Sequence, residues 1–63
     1  MLIIGYKGKV DWAKVKIAFK RCTDLSAAEI SATVAKIKQG QTLNVADDLV
    51  LREELKDQGI LLR

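Results

Sequence analysis

The sequence predicts a small α/β domain of the α+β, two-layer kind, with helices covering one face of a three-stranded antiparallel sheet. Short segments rich in β-formers stand near both ends of the chain, and three longer segments between them repeat apolar residues every three or four positions. The chain has no proline, so its four glycines and its capping residues must separate the elements. The predicted order is β-α-α-β-α-β, and 63 residues leave room for a single domain, residues 1–63.

The N-terminal third predicts a strand followed by a helix. Leu2–Tyr6 is apolar and rich in β-formers, which indicates a strand. Asp11 is expected to cap the helix, because its carboxylate can accept the free amide hydrogens of the first turn. The helix is predicted over Trp12–Cys22, where apolar residues at positions 12, 15, 19 and 22 share one face.

A second helix is predicted over Ala27–Lys38. Ser26 and Glu29 form a capping-box pattern, in which each side chain binds a backbone amide beside the other residue. Apolar residues at positions 27, 30, 34 and 37 again share one face. Gly40 is expected to supply the left-handed residue that ends this helix.

The C-terminal third predicts a strand, a helix and a strand. Thr42–Val45 alternates polar and apolar residues, which indicates a short, half-exposed strand. Asp47 and Asp48 suit the first turn of a third helix, where the helix dipole is positive. That helix is expected to run to about residue 58 and to stop at Gly59, before a last strand over Ile60–Leu62.

The composition argues against an enzyme. The chain has no histidine and one cysteine, so it lacks the commonest general base near neutral pH and cannot form an internal disulfide or an ordinary zinc site. Cys22 is expected to be a buried structural thiol at the end of the first helix. The pairs Asp47-Asp48 and Glu53-Glu54 invite an acid–base interpretation, but so small a domain offers little concavity and the helix dipole accounts for the aspartates. We therefore expect no catalytic residue, cofactor or metal.

Positive charge is concentrated near the N-terminus. Residues 1–21 contain six basic side chains and one acidic side chain, whereas the remaining residues contain five basic and seven acidic side chains. The lysines can simply solvate the outer side of the first helix, or they can bind phosphate groups or an acidic protein surface. The predicted partner-binding residues are Lys7, Lys9, Lys14, Lys16, Ile17, Lys20 and Arg21.

Two further observations bear on this basic face. Ile17 lies on the lysine-rich side, where it either packs against the second helix, which is the expected arrangement, or forms the centre of a docking surface. Trp12 and Phe19 are expected to be buried on the core face, which leaves Tyr6 as the one aromatic ring free to stack on a nucleic-acid base.

The chain resembles the C-terminal domain of the bacterial ribosomal stalk protein. That family carries a run of Thr, Leu, Glu and Val that matches Thr23, Leu25, Glu29 and Val34, and its third helix ends with the spacing of Leu55-Lys56-Asp57-Gln58-Gly59-Ile60. The resemblance covers most of the chain and implies the same order of elements. The family recruits translational GTPases through a face with two lysines, but those lysines fall on Ile17 and Ser31, so this recruiting role is not expected of the chain.

These observations predict a non-enzymatic protein-interaction module that uses the basic face of the first helix. Its partner is expected to be an acidic protein surface, associated with translation or, for a phage-encoded protein, belonging to the host. The alternatives are a weak, salt-sensitive RNA- or DNA-binding protein and a structural subunit of an oligomer. No membrane contact is expected, because no apolar run approaches the length of a signal sequence or a bilayer span. The lone cysteine suits a reducing compartment, and the expected location is a bacterial or phage-infected cytoplasm.

Overall fold

The computed structural model covers residues 1–63 and contains three helices and three strands in the predicted order. They are β1 (Leu2–Tyr6), α1 (Trp12–Cys22), α2 (Ala27–Lys38), β2 (Leu43–Asn44), α3 (Leu49–Asp57) and β3 (Ile60–Leu62). The predicted α+β fold class is confirmed.

The first strand occupies the centre of the sheet. All pairings are antiparallel and the strand order is β2-β1-β3, so β2 and β3 form the two edges. Leu2 pairs with Asn44 and Ile3 with Leu43 at one edge. The pairing of β1 with β3 is irregular between Ile3 and Gly5, which marks a bulge in β1.

The helices enclose one apolar core on one face of the sheet. The second helix packs on β1, α3 packs on β3, and α1 packs on both other helices. Every buried side chain is apolar, so no buried polar group has to be satisfied. The core residues are Ile3, Val15, Ala18, Phe19, Ile30, Val34, Ile37, Leu51, Leu55 and Ile60.

The predicted end of α2 is confirmed, because Gly40 follows the helix with a left-handed φ of +79°. Its N–H donates to the carbonyl of Ile37 at 3.0 Å, and the N–H of Gln41 donates to the carbonyl of Lys36 at 3.0 Å. This pair of bonds satisfies two carbonyls that the end of the helix leaves free.

A closer approach of two backbone segments requires glycine at position 59. Gly59 has φ +90°, and a Cβ there would lie 2.7 Å from the carbonyl oxygen of Lys7. The Gly59 carbonyl also accepts a hydrogen bond from the Lys7 N–H at 3.0 Å. The turn from α3 into β3 is therefore held directly against the end of β1.

Two predicted boundaries need correction. The strand expected over Thr42–Val45 is limited to Leu43–Asn44. The bulge of β1 just after Ile3 leaves Thr42 without a regular partner, whereas Val45 exchanges two backbone hydrogen bonds of 2.9 Å with Met1, which precedes β1. Asp47 and Asp48 precede the third helix instead of lying in its first turn, and Asp48 is its N-cap, with its carboxylate accepting the Leu51 N–H at 2.9 Å.

Candidate functional site: the outer surface of α1

The first helix is held by its N-terminal cap and by its apolar stripe. Asp11 is the N-cap, as predicted, and its carboxylate accepts the Lys14 N–H at 3.3 Å. Val15, Ala18 and Phe19 are buried against the other two helices. Fixing this stripe turns the opposite side of α1 outward.

Ile17 lies in the middle of that outward side and is 54% exposed. The expectation that it packs against the second helix is therefore wrong. Ile17 follows Val15 by two residues, which places it about 200° around the helix from that buried position. A side chain there cannot reach the core that Val15 fills.

The basic residues of α1 surround this exposed isoleucine. Lys14, Lys16 and Lys20 are all exposed, and none of them forms an ion pair. We call Lys14, Lys16, Ile17 and Lys20 the α1 surface. It combines one apolar side chain with three unpaired positive charges, which is a composition suited to binding an acidic partner.

A shallow groove runs from the α1 surface to α2, with a volume of about 170 Å³. We call it the α1–α2 groove. Ile30 is buried at its base, while Ala27 and Ser31 are exposed along the far side. Its lining residues are Lys16, Ile17, Lys20, Ala27, Ile30 and Ser31.

The other side of the α1 surface is electrically mixed. A groove of about 200 Å³ between α1 and α3 is lined by Lys14, Ile17, Arg21, Glu54, Asp57 and Gln58. The guanidinium of Arg21 donates to a carboxylate oxygen of Glu54 at 3.0 Å. Arg21, predicted as a partner-binding residue, is therefore already engaged within the chain.

The two predicted residues of the β1–α1 connection lie elsewhere. Lys9 is exposed and lines neither groove of α1. Lys7 lines a groove of about 410 Å³ beside the last strand, which we call the β3 groove. Its lining residues are Lys7, Arg52, Lys56, Gly59, Ile60, Leu61, Leu62 and Arg63.

Arg52, Lys56 and Arg63 of the β3 groove were not predicted as site residues. Arg52 and Lys56 are four residues apart in the sequence, a spacing that places them on one side of α3. That spacing could have indicated a basic side of α3 from the sequence alone. Their meeting with Lys7 depends on the pairing of β1 with β3, which no local pattern specifies.

The capping box of α2 is present as predicted. The Ser26 hydroxyl accepts the Glu29 N–H at 3.1 Å, and the Glu29 carboxylate accepts the Ser26 N–H at 3.0 Å. Two interactions with Ser26 hold the pKa of Glu29 below its ordinary value. The hydrogen bond from the Ser26 backbone has the larger effect, and the interaction with the Ser26 side chain has the smaller one. Glu29 is thus fully occupied by a structural role.

The aromatic residues do not form an exposed stacking row. Phe19 is buried, as expected. Trp12, expected to be buried, is half-buried, because it begins α1 at the rim of the core instead of facing its centre. Its ring meets the Tyr6 ring edge-on, with centroids 5.0 Å apart, and the Lys38 Nζ lies 5.2 Å from the Trp12 ring centroid.

The remaining chemistry-bearing side chains are placed in structural roles. Cys22 is half-buried, so this thiol is less buried than expected. Burial, together with the carboxylates of Asp48 and Glu54, raises the pKa of the thiol. Asp47 pairs with Arg52 at 2.9 Å. No three acidic or cysteine side chains come together as potential metal ligands.

No helix combines the length and the apolar character that crossing a bilayer requires.

Comparison of the chain with protein-family models, curated proteins and solved structures finds no match. The resemblance to the stalk domain stays a prediction that depends on the matching residues.

Proposed function

We propose that this chain is a non-enzymatic protein-interaction module that binds an acidic protein surface through the α1 surface. The observation that carries the proposal is the 54% exposure of Ile17 among three unpaired lysines. An apolar side chain flanked by three lysines offers a desolvated anchor at its centre and charge complementarity along the basic side of its rim.

The α1–α2 groove gives this surface a shape as well as a charge. An apolar side chain of the partner can enter the groove beside Ile17 and rest on Ile30, while carboxylates of the partner meet Lys16 and Lys20. Such rim contacts mainly speed association, and salt screens them. We therefore expect the association rate to fall as ionic strength rises.

Two other exposed apolar residues do not offer the same combination. Leu49 and Val50 are 73% and 55% exposed at the start of α3. Neither lines a groove, and the residues before and after them include Asp47, Asp48 and Glu53. An acidic partner is repelled from that end of the helix.

The resemblance to the stalk domain supports the same location. The positions that correspond to the two lysines of that family's factor-binding face are Ile17 and Ser31, and both line the α1–α2 groove. We infer that this chain uses the corresponding surface with a changed chemistry. A partner other than the translational GTPases follows from that change.

The proposal is tested with tagged protein in a native bacterial lysate, with and without nuclease treatment. Ile17→Asp is compared with Val50→Asp, since the two side chains are almost equally exposed and both variants add one negative charge to a helix. Protein captured by the parent chain and by Val50→Asp, and lost with Ile17→Asp, is the expected result. Circular dichroism confirms that both variants are folded.

Two outcomes contradict the proposal. One is a bound protein set that the Ile17→Asp change leaves intact. The other is a bound set that disappears with nuclease treatment in every variant, which points to nucleic acid on the lysines instead. In that case, affinity for mixed-sequence RNA falls steeply with salt.

A further inference from the structure

The outer edge of β3 carries backbone groups that no part of the chain pairs. The N–H of Leu2 donates to the Arg63 carbonyl at 3.2 Å, and the N–H of Arg63 donates to the Leu2 carbonyl at 2.8 Å. In an antiparallel pair, residues whose N–H and C=O both bond to the partner strand alternate with residues whose N–H and C=O both point away from it. The N–H and C=O of Leu62 therefore face away from β1, at the open edge of the sheet.

The β3 groove lies along this open edge and is strongly positive. Four of its lining residues are basic, namely Lys7, Arg52, Lys56 and Arg63, and none is acidic. Arg52 is paired with Asp47, whereas the other three basic side chains form no ion pair. Free strand groups and unpaired positive charge thus occur at one place.

We propose that the β3 edge binds an acidic, extended peptide segment of another protein as a fourth strand of the sheet. The backbone of the peptide pairs with Leu62, and its carboxylates meet the basic side chains of the β3 groove. Strand addition of this kind takes its affinity from main-chain hydrogen bonds and its specificity from alternate side chains. This surface is separate from the α1 surface, and the inference does not depend on the function proposed there.

The two faces of the sheet define the pattern of the peptide. Lys56 and Arg52 belong to α3, which covers the inner face, while Leu61 is exposed on the outer face. Successive side chains of a strand point to opposite faces. By the same alternation Arg63 lies on the outer face with Leu61. The preferred peptide therefore alternates acidic residues, directed toward Arg52 and Lys56, with apolar residues, directed toward the side of Leu61, and carries a further acidic residue beside Arg63.

Charge argues against a second copy of this chain as the occupant. Pairing β3 with β3 of another molecule would bring two sets of the same four basic side chains together. Like charges across paired strands are destabilising. An acidic segment removes that repulsion, which is why it is the favoured occupant of this edge.

The inference is tested with a fluorescent peptide of alternating glutamate and valine, whose binding is followed by anisotropy. We expect binding that Lys7→Glu/Lys56→Glu weakens about tenfold. Lys9→Glu/Lys36→Glu is the matched control, since it reverses one connection lysine and one lysine in the last turn of a helix outside both proposed surfaces, with the same change in net charge. This control is expected to bind the glutamate–valine peptide as the parent chain does. A control peptide in which lysine replaces glutamate is expected not to bind.

A second measurement separates strand addition from loose charge attraction. Amide hydrogen exchange of the parent chain is followed by nuclear magnetic resonance with and without the glutamate–valine peptide. Slower exchange of the Leu62 N–H in the complex is the expected result, because this donor then pairs with the peptide. The inference is overturned by absence of binding, by equal weakening in both double variants, by an unprotected Leu62 amide, or by self-association of the chain through this edge.

Discussion

Two glycines with similar backbone angles illustrate how differently a single residue can be constrained. Gly40 has φ +79° with nothing within 4 Å of a Cβ built there, whereas at Gly59, with φ +90°, a Cβ would meet the Lys7 carbonyl oxygen at 2.7 Å. A left-handed angle alone costs a non-glycine residue about 1–2 kcal/mol. A clash with backbone adds a cost that side-chain rotation cannot relieve.

We predict that Gly40→Ala lowers the free energy of unfolding by about 1 kcal/mol and that Gly59→Ala lowers it by about 3 kcal/mol. Urea unfolding followed by circular dichroism measures both changes. Equal losses at the two positions would show that the contact between Gly59 and Lys7 does not constrain the fold.

The lysines of α1 and Ile17 show which sequence patterns predicted the candidate site correctly. The lysines of α1 were correctly expected on the outer side of the helix, because they fall off its apolar stripe. Ile17 was placed on the same side and named as a partner-binding residue, but it was expected to pack against α2, because the general tendency of isoleucine to be buried was given more weight than its position opposite Val15. Helical geometry was the better guide.

At the scale of the element, the start of α2 depends on the reciprocal bonds between Ser26 and Glu29. We predict that Ser26→Ala lowers the free energy of unfolding by about 1 kcal/mol, because the Glu29 N–H loses its acceptor. Ser31→Ala is the control, since Ser31 is an exposed serine inside the same helix and alanine is a better helix former. The prediction fails if the two variants unfold at the same urea concentration.

The capping box also makes stability depend on pH. Because the folded chain holds the pKa of Glu29 below its ordinary value, the stabilisation from the capping box is fully present above that ordinary value and is lost as the pH falls through the lowered pKa. Urea unfolding at a series of acidic pH values should therefore show a smaller loss of stability for Glu29→Gln than for the parent chain. Glu53→Gln, an exposed glutamate of α3 without a hydrogen bond, is the control and should follow the parent chain.

The helices were more predictable than the strands for a physical reason. Caps, glycines and apolar spacing are local features, and they placed α1 and α2 at their observed bounds. The start of β2 is determined by its partner instead, because pairing with β1 is regular only up to Ile3, where β1 bulges. That bulge involves the fit of β3 as well, so no segment specifies it alone.

At the scale of the whole molecule, the fold divides the basic residues into two surfaces. Lys14, Lys16 and Lys20 stay together on α1, while Lys7 joins basic residues of α3 and β3. The sequence showed the N-terminal concentration of charge but not this division. It follows from the central position of β1, which brings the start and the end of the chain together.

The small core also limits how much damage the molecule can tolerate. Phe19 is fully buried, and removing a buried phenylalanine side chain costs about 3–5 kcal/mol, whereas a chain of this size has a total stability of roughly 3–9 kcal/mol. We predict that Phe19→Ala is largely unfolded at 37 °C. Ile17→Ala should change the midpoint of thermal unfolding, measured by circular dichroism, by only a few degrees; similar losses in the two variants would contradict the assigned burial.

The most direct test of the proposed docking role places a photoreactive phenylalanine derivative at position 17 and, in a second chain, at position 50. Each chain is irradiated in native lysate with and without nuclease treatment. The two positions are almost equally exposed, so chance collisions affect both alike. The expected result is a discrete protein adduct from position 17 that position 50 does not give. Equal adducts from both positions, or adducts to nucleic acid alone in untreated lysate, would contradict it.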